Sequence, residues 1–202
     1  MKDSQLEKYI NQDTWFHDTT LARWENMCKS KVIFDYNRGT ELDFGFGFYM
    51  APKYQQAKNY IKRMLPYLNE EISEEKWAVV IEFEIVLSQF IKTHSYKTFL
   101  KFDDSFSLFV FNNRNNSDIQ NHNYDFIIGV MTDSNPVDLL AKYRSQVITL
   151  EEVISGLKIG NSMQQVSLHT QNLCDKLRVK KVTLIDTGKE LNANDYNTNR
   201  NK

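Results

Sequence analysis

Three stretches of this 202-residue chain combine residue types that could do chemistry. His17 stands with Asp18, Thr19 and Thr20, an imidazole that titrates near neutral pH beside a carboxyl and two hydroxyls; its structural reading is a histidine satisfied at a strand end. The run Leu42-Asp43-Phe44-Gly45-Phe46-Gly47-Phe48-Tyr49 places two glycines, which let a backbone approach closely, among four aromatic planes that could face a flat ring. The same run could equally be a bulged strand in a core. In Gln164-Gln165-Val166-Ser167-Leu168-His169-Thr170, hydrogen-bonding side chains interleave with apolar ones, as on a strand lining a site or at a sheet edge. Other chemistries find no support. Gly45 and Gly47 supply only the first two glycines of a dinucleotide fingerprint, no P-loop lysine follows, and Cys28 and Cys174 form no Cys-x-x-Cys. No histidine pair has ligand spacing, so no metal site is expected.

Together and in this order, the three stretches resemble the ADP-ribosyltransferase superfamily. They are most similar to a bacterial, toxin-like family of unknown function (domain of unknown function 3990) with the signature Asp-Phe-Gly-x-Gly-Phe-Tyr. Further segments fit: Phe16-His17 for the opening motif, Gln55-Gln56-Ala57 after the tyrosine, residues 109–114 for Phe-Val-x-x-Asn-Arg, residues 124–129 for Tyr-Asp-x-x-x-Gly, and residues 165–171 for the Gln-x-x-Phe-His-Thr-Glu block. The similarity runs from about residue 14 to residue 177.

The resemblance implies an NAD+-dependent mono-ADP-ribosyltransferase of the toxin–antitoxin or phage-defence type. NAD would be the co-substrate, the acceptor an RNA or DNA base or a protein side chain, and the partner a neutralising antitoxin protein. It implies that His17 holds a ribose hydroxyl, that Asp18 grips the nicotinamide amide through its backbone, and that Tyr49 and Tyr60 flank the nicotinamide. Gln165 would hydrogen-bond the nicotinamide ribose, and Thr19, Gly47 and Phe48 would complete the NAD-binding set. His17, Tyr49 and Gln165 are thus the expected catalytic residues. Two departures stand out: Asp18 replaces a glycine, and Gln165 replaces the usual glutamate. A neutral amide accepts a hydrogen bond but lacks the charge that opposes a developing oxocarbenium ion. Both departures keep open a second reading, a catalytically weak NAD-binding or protein-interaction module. Phe44, Phe46 and Phe48 could stack an unpaired base, against the plainer reading that they pack a core. Asp43, Arg114 and Asp125 have structural readings, Arg114 as the partner of an acid. The loops at residues 31–41 and 156–164 are candidates to select the acceptor.

Periodicity supplies the elements that must position these residues. Residues 14–17 read as a strand and 19–28 as a helix, with Leu21, Trp24 and Met27 at helical spacing. Residues 31–46 read as a loop leading into a strand around Tyr49, and 54–65 as a helix stopping before Pro66. Residues 77–87 alternate as a strand whose first half is apolar on both faces. A helix over 99–114, a strand over 124–131, a helix over 150–157, a strand over 165–169, helical turns over 170–177 and a strand over 179–185 complete the pattern. Glu151 and Glu152 fit the first turn of their helix as dipole partners. Lys53, Lys58, Lys62 and Arg63 read as a solvated helix face.

Strands and helices mixed without βαβ alternation predict an α+β fold; with the resemblance, this becomes an ADP-ribosyltransferase-like split mixed or antiparallel sheet core with flanking helices. Composition agrees: 41% hydrophobic and 13% aromatic residues with seven Gly and three Pro describe a core-forming chain, and a net charge of −1 gives no global footprint for duplex nucleic acid. Residues 1–190 read as one domain and 191–202 as a disordered polar tail. With no apolar run long enough to span a bilayer and no signal-peptide core, the expected location is the cytoplasm, with no membrane partner.

Overall fold

The computed structural model describes residues 4–36, 42–67, 77–132, 135–160 and 163–198. In chain order these hold α1 (Ser4–Ile10), β1 (Thr14–Thr20), α2 (Leu21–Ser30), β2 (Phe48–Met50), α3 (Tyr54–Met64), β3 (Ala78–Glu84), β4 (Tyr96–Phe99) and α4 (Asp104–Asn115). There follow β5 (Phe126–Val130), α5 (Pro136–Arg144), α6 (Leu150–Leu157), β6 (Gln164–Leu168), α7 (Gln171–Cys174), β7 (Arg178–Leu184), β8 (Glu190–Leu191) and α8 (Asn194–Thr198). The class is α+β. One sheet, ordered β1-β3-β7-β8, is antiparallel; the other, ordered β2-β6-β5-β4, is mixed because β4 and β5 run parallel.

Side-chain alternation explains the layering. In β3, Val79, Ile81 and Phe83 face one way and Ala78 and Val80 the other, so both faces must be covered. The first set meets Phe48 and Met50 of β2, Phe126 and Ile128 of β5, and Val166 and Leu168 of β6 in a core shared by the two sheets. The second set is capped by Ala57 and Ile61 of α3, which leaves that helix's Lys53, Lys62 and Arg63 exposed. The outer face of the mixed sheet carries its own core, with Phe99 and Ile127 packed against Phe106 and Val110 of α4 and Val153 and Leu157 of α6.

Local rules set the helix starts. Asp103 caps α4 through its carboxylate to Phe106 N at 3.0 Å, so the helix begins only at Asp104, and Phe99 instead ends β4. Thr149 and Glu152 form a reciprocal capping box on α6. Asn135 caps α5 through its side chain to Asp138 N, and Pro136 is its first residue.

Two expectations are corrected. β1 continues through Thr20, so His17 lies in mid-strand rather than at its end. Nor is the polar tail without structure over residues 194–198, which form α8. Its Tyr196 is 2% exposed, stacks on Trp24 at 6.0 Å and meets Phe83 edge-on at 6.1 Å. Averaged polarity hides a single buried ring: one large side chain can anchor a short polar helix. Substituting Tyr196→Ala is expected to lower unfolding stability by about 3 kcal/mol in urea denaturation, as for other large buried rings; an unchanged midpoint would refute the anchor.

Candidate functional site

The two sheets meet where β1 passes β2. Phe16 and Ala51 exchange backbone hydrogen bonds of 2.9 and 2.7 Å. Two residues along, the Tyr49 carbonyl accepts from Nδ1 of His17 at 2.8 Å. A carbonyl can only accept, so Nδ1 carries the proton and Nε2 keeps a lone pair that has no partner among the described residues. The ring lies 4.3 Å from that of Phe48. Burial pulls the His17 pKa down to about 4, the charge of Arg23 adds to this, and the Tyr49 carbonyl opposes it, so the imidazole is neutral at pH 7.

The stretch from Asp43 to Tyr49 is held almost entirely by side chains. The Tyr49 hydroxyl donates to Gly45 O at 2.7 Å and accepts from Phe44 N at 3.0 Å, closing a tight turn in which Gly45 has φ +77°. Phe44 O accepts from His122 Nε2 at 2.7 Å, and Phe46 is read on both sides by the Gln120 amide, Oε1 to its N–H at 2.8 Å and Nε2 to its carbonyl at 3.3 Å. Phe46 O also accepts from His169 Nδ1. Gly47 has no room for a side chain, since a Cβ would come within 2.8 Å of the His169 ring. Asp43 anchors the whole. Its buried carboxylate takes Arg114 Nε and Nη2 at 3.0 and 2.8 Å, Thr132 N and Oγ1 at 3.0 and 2.8 Å, and Gln165 Nε2 at 2.9 Å.

That last bond orients Gln165. Its amide nitrogen donates inward to Asp43 and, at 3.4 Å, to Val130 O, which leaves Oε1 as an acceptor without a partner among the described residues. The negative charge expected of a glutamate at this position is thus present one hydrogen bond behind it. Tyr49 shares this face: burial, and then the charge of Asp43, push its phenol pKa well above the ordinary value, so it remains a neutral donor.

His169 and His122 are part of the clamp. Ser167 Oγ sits 2.8 Å from His169 Nε2, and the two imidazoles meet edge to face at 4.6 Å. Burial, foremost, together with the neighbouring His122, brings the His169 pKa to about 3; burial also lowers that of His122. His169 could have been suspected from its place two residues after Ser167 on one strand face, but nothing in the sequence links residue 122 to residue 44. The expected acid partner of Arg114 is Asp43.

Not all predicted residues converge. Phe44 and Phe48 are buried in the two cores and cannot stack a base; only Phe46 reaches a cavity. Thr19 is buried on β1. Tyr60 stands on α3 one turn after Gln56, whose amide donates to Gln164 O at 2.7 Å, so that helix face is directed toward the start of β6. Asp18 alternates with His17 and lies on the α3 side with Phe16. Burial raises its pKa to about 7, only partly offset by its own backbone N–H. Of the loops expected to select an acceptor, residues 37–41 and 161–162 lie outside the described set.

Two stability measurements follow. An acid whose pKa is raised on folding costs nothing below its unfolded value near 3.8 and most above its folded value near 7. Asp18→Asn is therefore expected to raise Tm at pH 8 and to leave it nearly unchanged at pH 4; a pH-independent effect would refute the assignment. Gln165→Glu replaces a donor to Asp43 by a second carboxylate at hydrogen-bond distance. It should destabilise the protein, more at pH 8 than at pH 5, and a variant as stable as the parent at both values would show that the bond is not formed.

No curated protein and no solved structure matches the chain. No helix among the described residues is long and apolar enough to cross a membrane. The family described as Protein of unknown function (DUF3990) matches residues 31–179, a span that contains the whole Asp43 clamp and leaves β1, with His17, outside it. With most of its length matched, the chain belongs to that family.

Proposed function

We propose that the protein is an NAD+-dependent ADP-ribosyltransferase acting on a macromolecular acceptor, a toxin held in check in the cytoplasm by a neutralising partner protein. The observation that carries this reading is the hydrogen bonding of Gln165: buried, its amide nitrogen locked by Asp43, and its Oε1 left as an acceptor without a partner among the described residues. A fixed acceptor backed by a carboxylate suits a ribose hydroxyl next to a carbon that becomes positive as nicotinamide departs. Hydrogen bonding of the amide N–H to an anion strengthens its carbonyl as an acceptor, which recovers part of the charge effect of a glutamate.

The other residues fit that chemistry. NAD+ would supply the ADP-ribosyl group and nicotinamide as leaving group. The free Nε2 of neutral His17 can accept a second hydroxyl, its ring held in place by the Tyr49 carbonyl and Phe48. Tyr49, which cannot rotate without losing two hydrogen bonds, would offer a fixed aromatic wall, and Tyr60 on α3 would offer another. Asp18 supports a second reading, a binding module: a carboxyl where relatives of this pattern carry glycine would crowd a carboxamide.

The test uses purified protein, labelled NAD+ and whole-cell lysate, followed by nuclease or protease. Label removed by only one treatment identifies the acceptor class, and His17→Ala and Tyr49→Phe should reduce labelling at least tenfold while melting cooperatively. If no label is transferred but NAD+ raises Tm, the binding module replaces the transferase. If neither occurs, NAD+ is not the ligand.

A further inference from the structure

The Asp18 carboxyl is half-buried and has no hydrogen-bond or ion-pair partner in another described residue. Other acids of the described chain are matched. Asp43 holds Arg114 in the interior, and the more exposed Asp104, Asp138 and Glu190 each hold a lysine. A carboxyl withdrawn from water without a partner costs stability, and groups kept at such a cost concentrate where a ligand completes them.

Strand register places this carboxyl. Phe16 and Ala51 bridge β1 and β2 in the antiparallel sense, and across β2 and β6 Met50 pairs with Val166 and Tyr49 with Ser167. Side chains alternate along a strand and agree across a pair, so Phe16 and Ala51 share a face. Two residues along, Asp18 falls on the face of Tyr49 and Ser167, which is also that of Gln165. His17 turns the other way, onto Phe48. Past the isolated bridge the His17 imidazole reaches across to Tyr49 O, so Asp18 borders the seam between the sheets. The titratable and charged groups around it are Tyr49 of β2, Glu82 of β3 with Lys181 of β7 opposite, and Tyr54, Lys58 and Tyr60 of α3. Arg23 of α2 and the Asp43–Arg114 pair behind Gln165 lie further round. None of them sets the charge state of Asp18, whose pKa burial raises and its own N–H alone opposes.

We infer that Asp18 is the counter-ion of a cationic ring in the ligand, and that it makes the site select oxidised NAD+ against NADH. The step from a cationic ring to NAD+ rests on the proposed transfer. The two nucleotides share adenine, both riboses and both phosphates, and differ in the nicotinamide ring, a pyridinium cation in one and neutral in the other. A carboxylate on the face of Tyr49 and Gln165 distinguishes them by charge, where the glycine of the resembling pattern has no charge to offer. A cation beside the carboxyl holds it ionised, so the ligand and a proton compete for Asp18.

The test measures the affinities of NAD+, NADH, 1-methylnicotinamide and nicotinamide at pH 6 and pH 8, for the full chain and for Asp18→Asn. With a pKa of about 7, the ionised fraction of Asp18 rises about tenfold between these values. NAD+ and the 1-methylnicotinamide cation should bind up to about tenfold tighter at pH 8, and NADH and nicotinamide equally at both. Asp18→Asn keeps the shape and removes the charge; it should abolish the pH dependence and bring NAD+ within about twofold of NADH. Should that variant fail to fold, the pH dependence of the parent with charged and neutral rings decides; should the free rings bind too weakly to measure, NAD+ against NADH decides. Equal affinity for NAD+ and NADH, no binding of either cation, or a variant that behaves as the parent overturns the assignment. Tighter binding of NAD+ at pH 6 also overturns it, since a protonated Asp18 would then be a donor rather than a counter-ion. Nicotinamide release from NAD+ is measured separately: release without preference for the charged ring defeats this inference alone, and that preference without release defeats the transfer reading alone.

Discussion

The buried Asp43 carboxylate is the constraint on which the arrangement depends. It sits 4% exposed and collects five hydrogen bonds from Arg114, Thr132 and Gln165. Those donors come from α4, from the segment after β5 and from β6, three places that the chain must bring together before the charge is satisfied. Removing one partner of such a pair typically costs about 3–5 kcal/mol, because the other is left charged in a dry interior. A loop fixed by this ion has little freedom to sample other shapes.

From Asp43 the order passes along the loop by an exchange of donors and acceptors. Each of the carbonyls of Phe44, Gly45 and Phe46 is taken by a side chain from a different element, so the loop needs no neighbouring strand to be rigid. This suits a site. The loop is held from the side by these groups, and the strands on which Tyr49 and Gln165 stand, β2 and β6, are held by pairing with each other, so both residues keep fixed positions.

Much of this was legible in the sequence, and the reasons for the rest are physical. The residues 43–49 stood out because glycines and aromatics in alternation serve few purposes, and Arg114 called for an acid. The central strand was readable from its apolar run. Three features were hidden. The length of β1 was obscured by Asp18 and the threonines, whose polarity suggested an end; the strand continues because Thr19 and Thr20 are buried in pairing with β3. The short β4 and β8 lack enough residues to show a period. The partnership of His122 and His169 depends on tertiary contact alone, as does the bond that ties the Gln165 amide nitrogen to Asp43.

The place of Tyr196 has a consequence for how the protein comes into being. β3 pairs on one side with β1, already made, and on the other with β7, which starts roughly a hundred residues later, and Tyr196, which covers Trp24, follows later still. Long-range pairings of this kind set slow folding, and here they also set its earliest moment. A ribosome moving at about 5–20 residues per second needs roughly 5–20 seconds to add the stretch between β3 and β7, and the central sheet cannot close before that. Until then β3 carries an unpaired edge, and the arrival of β7 rather than any local segment decides when the sheet closes.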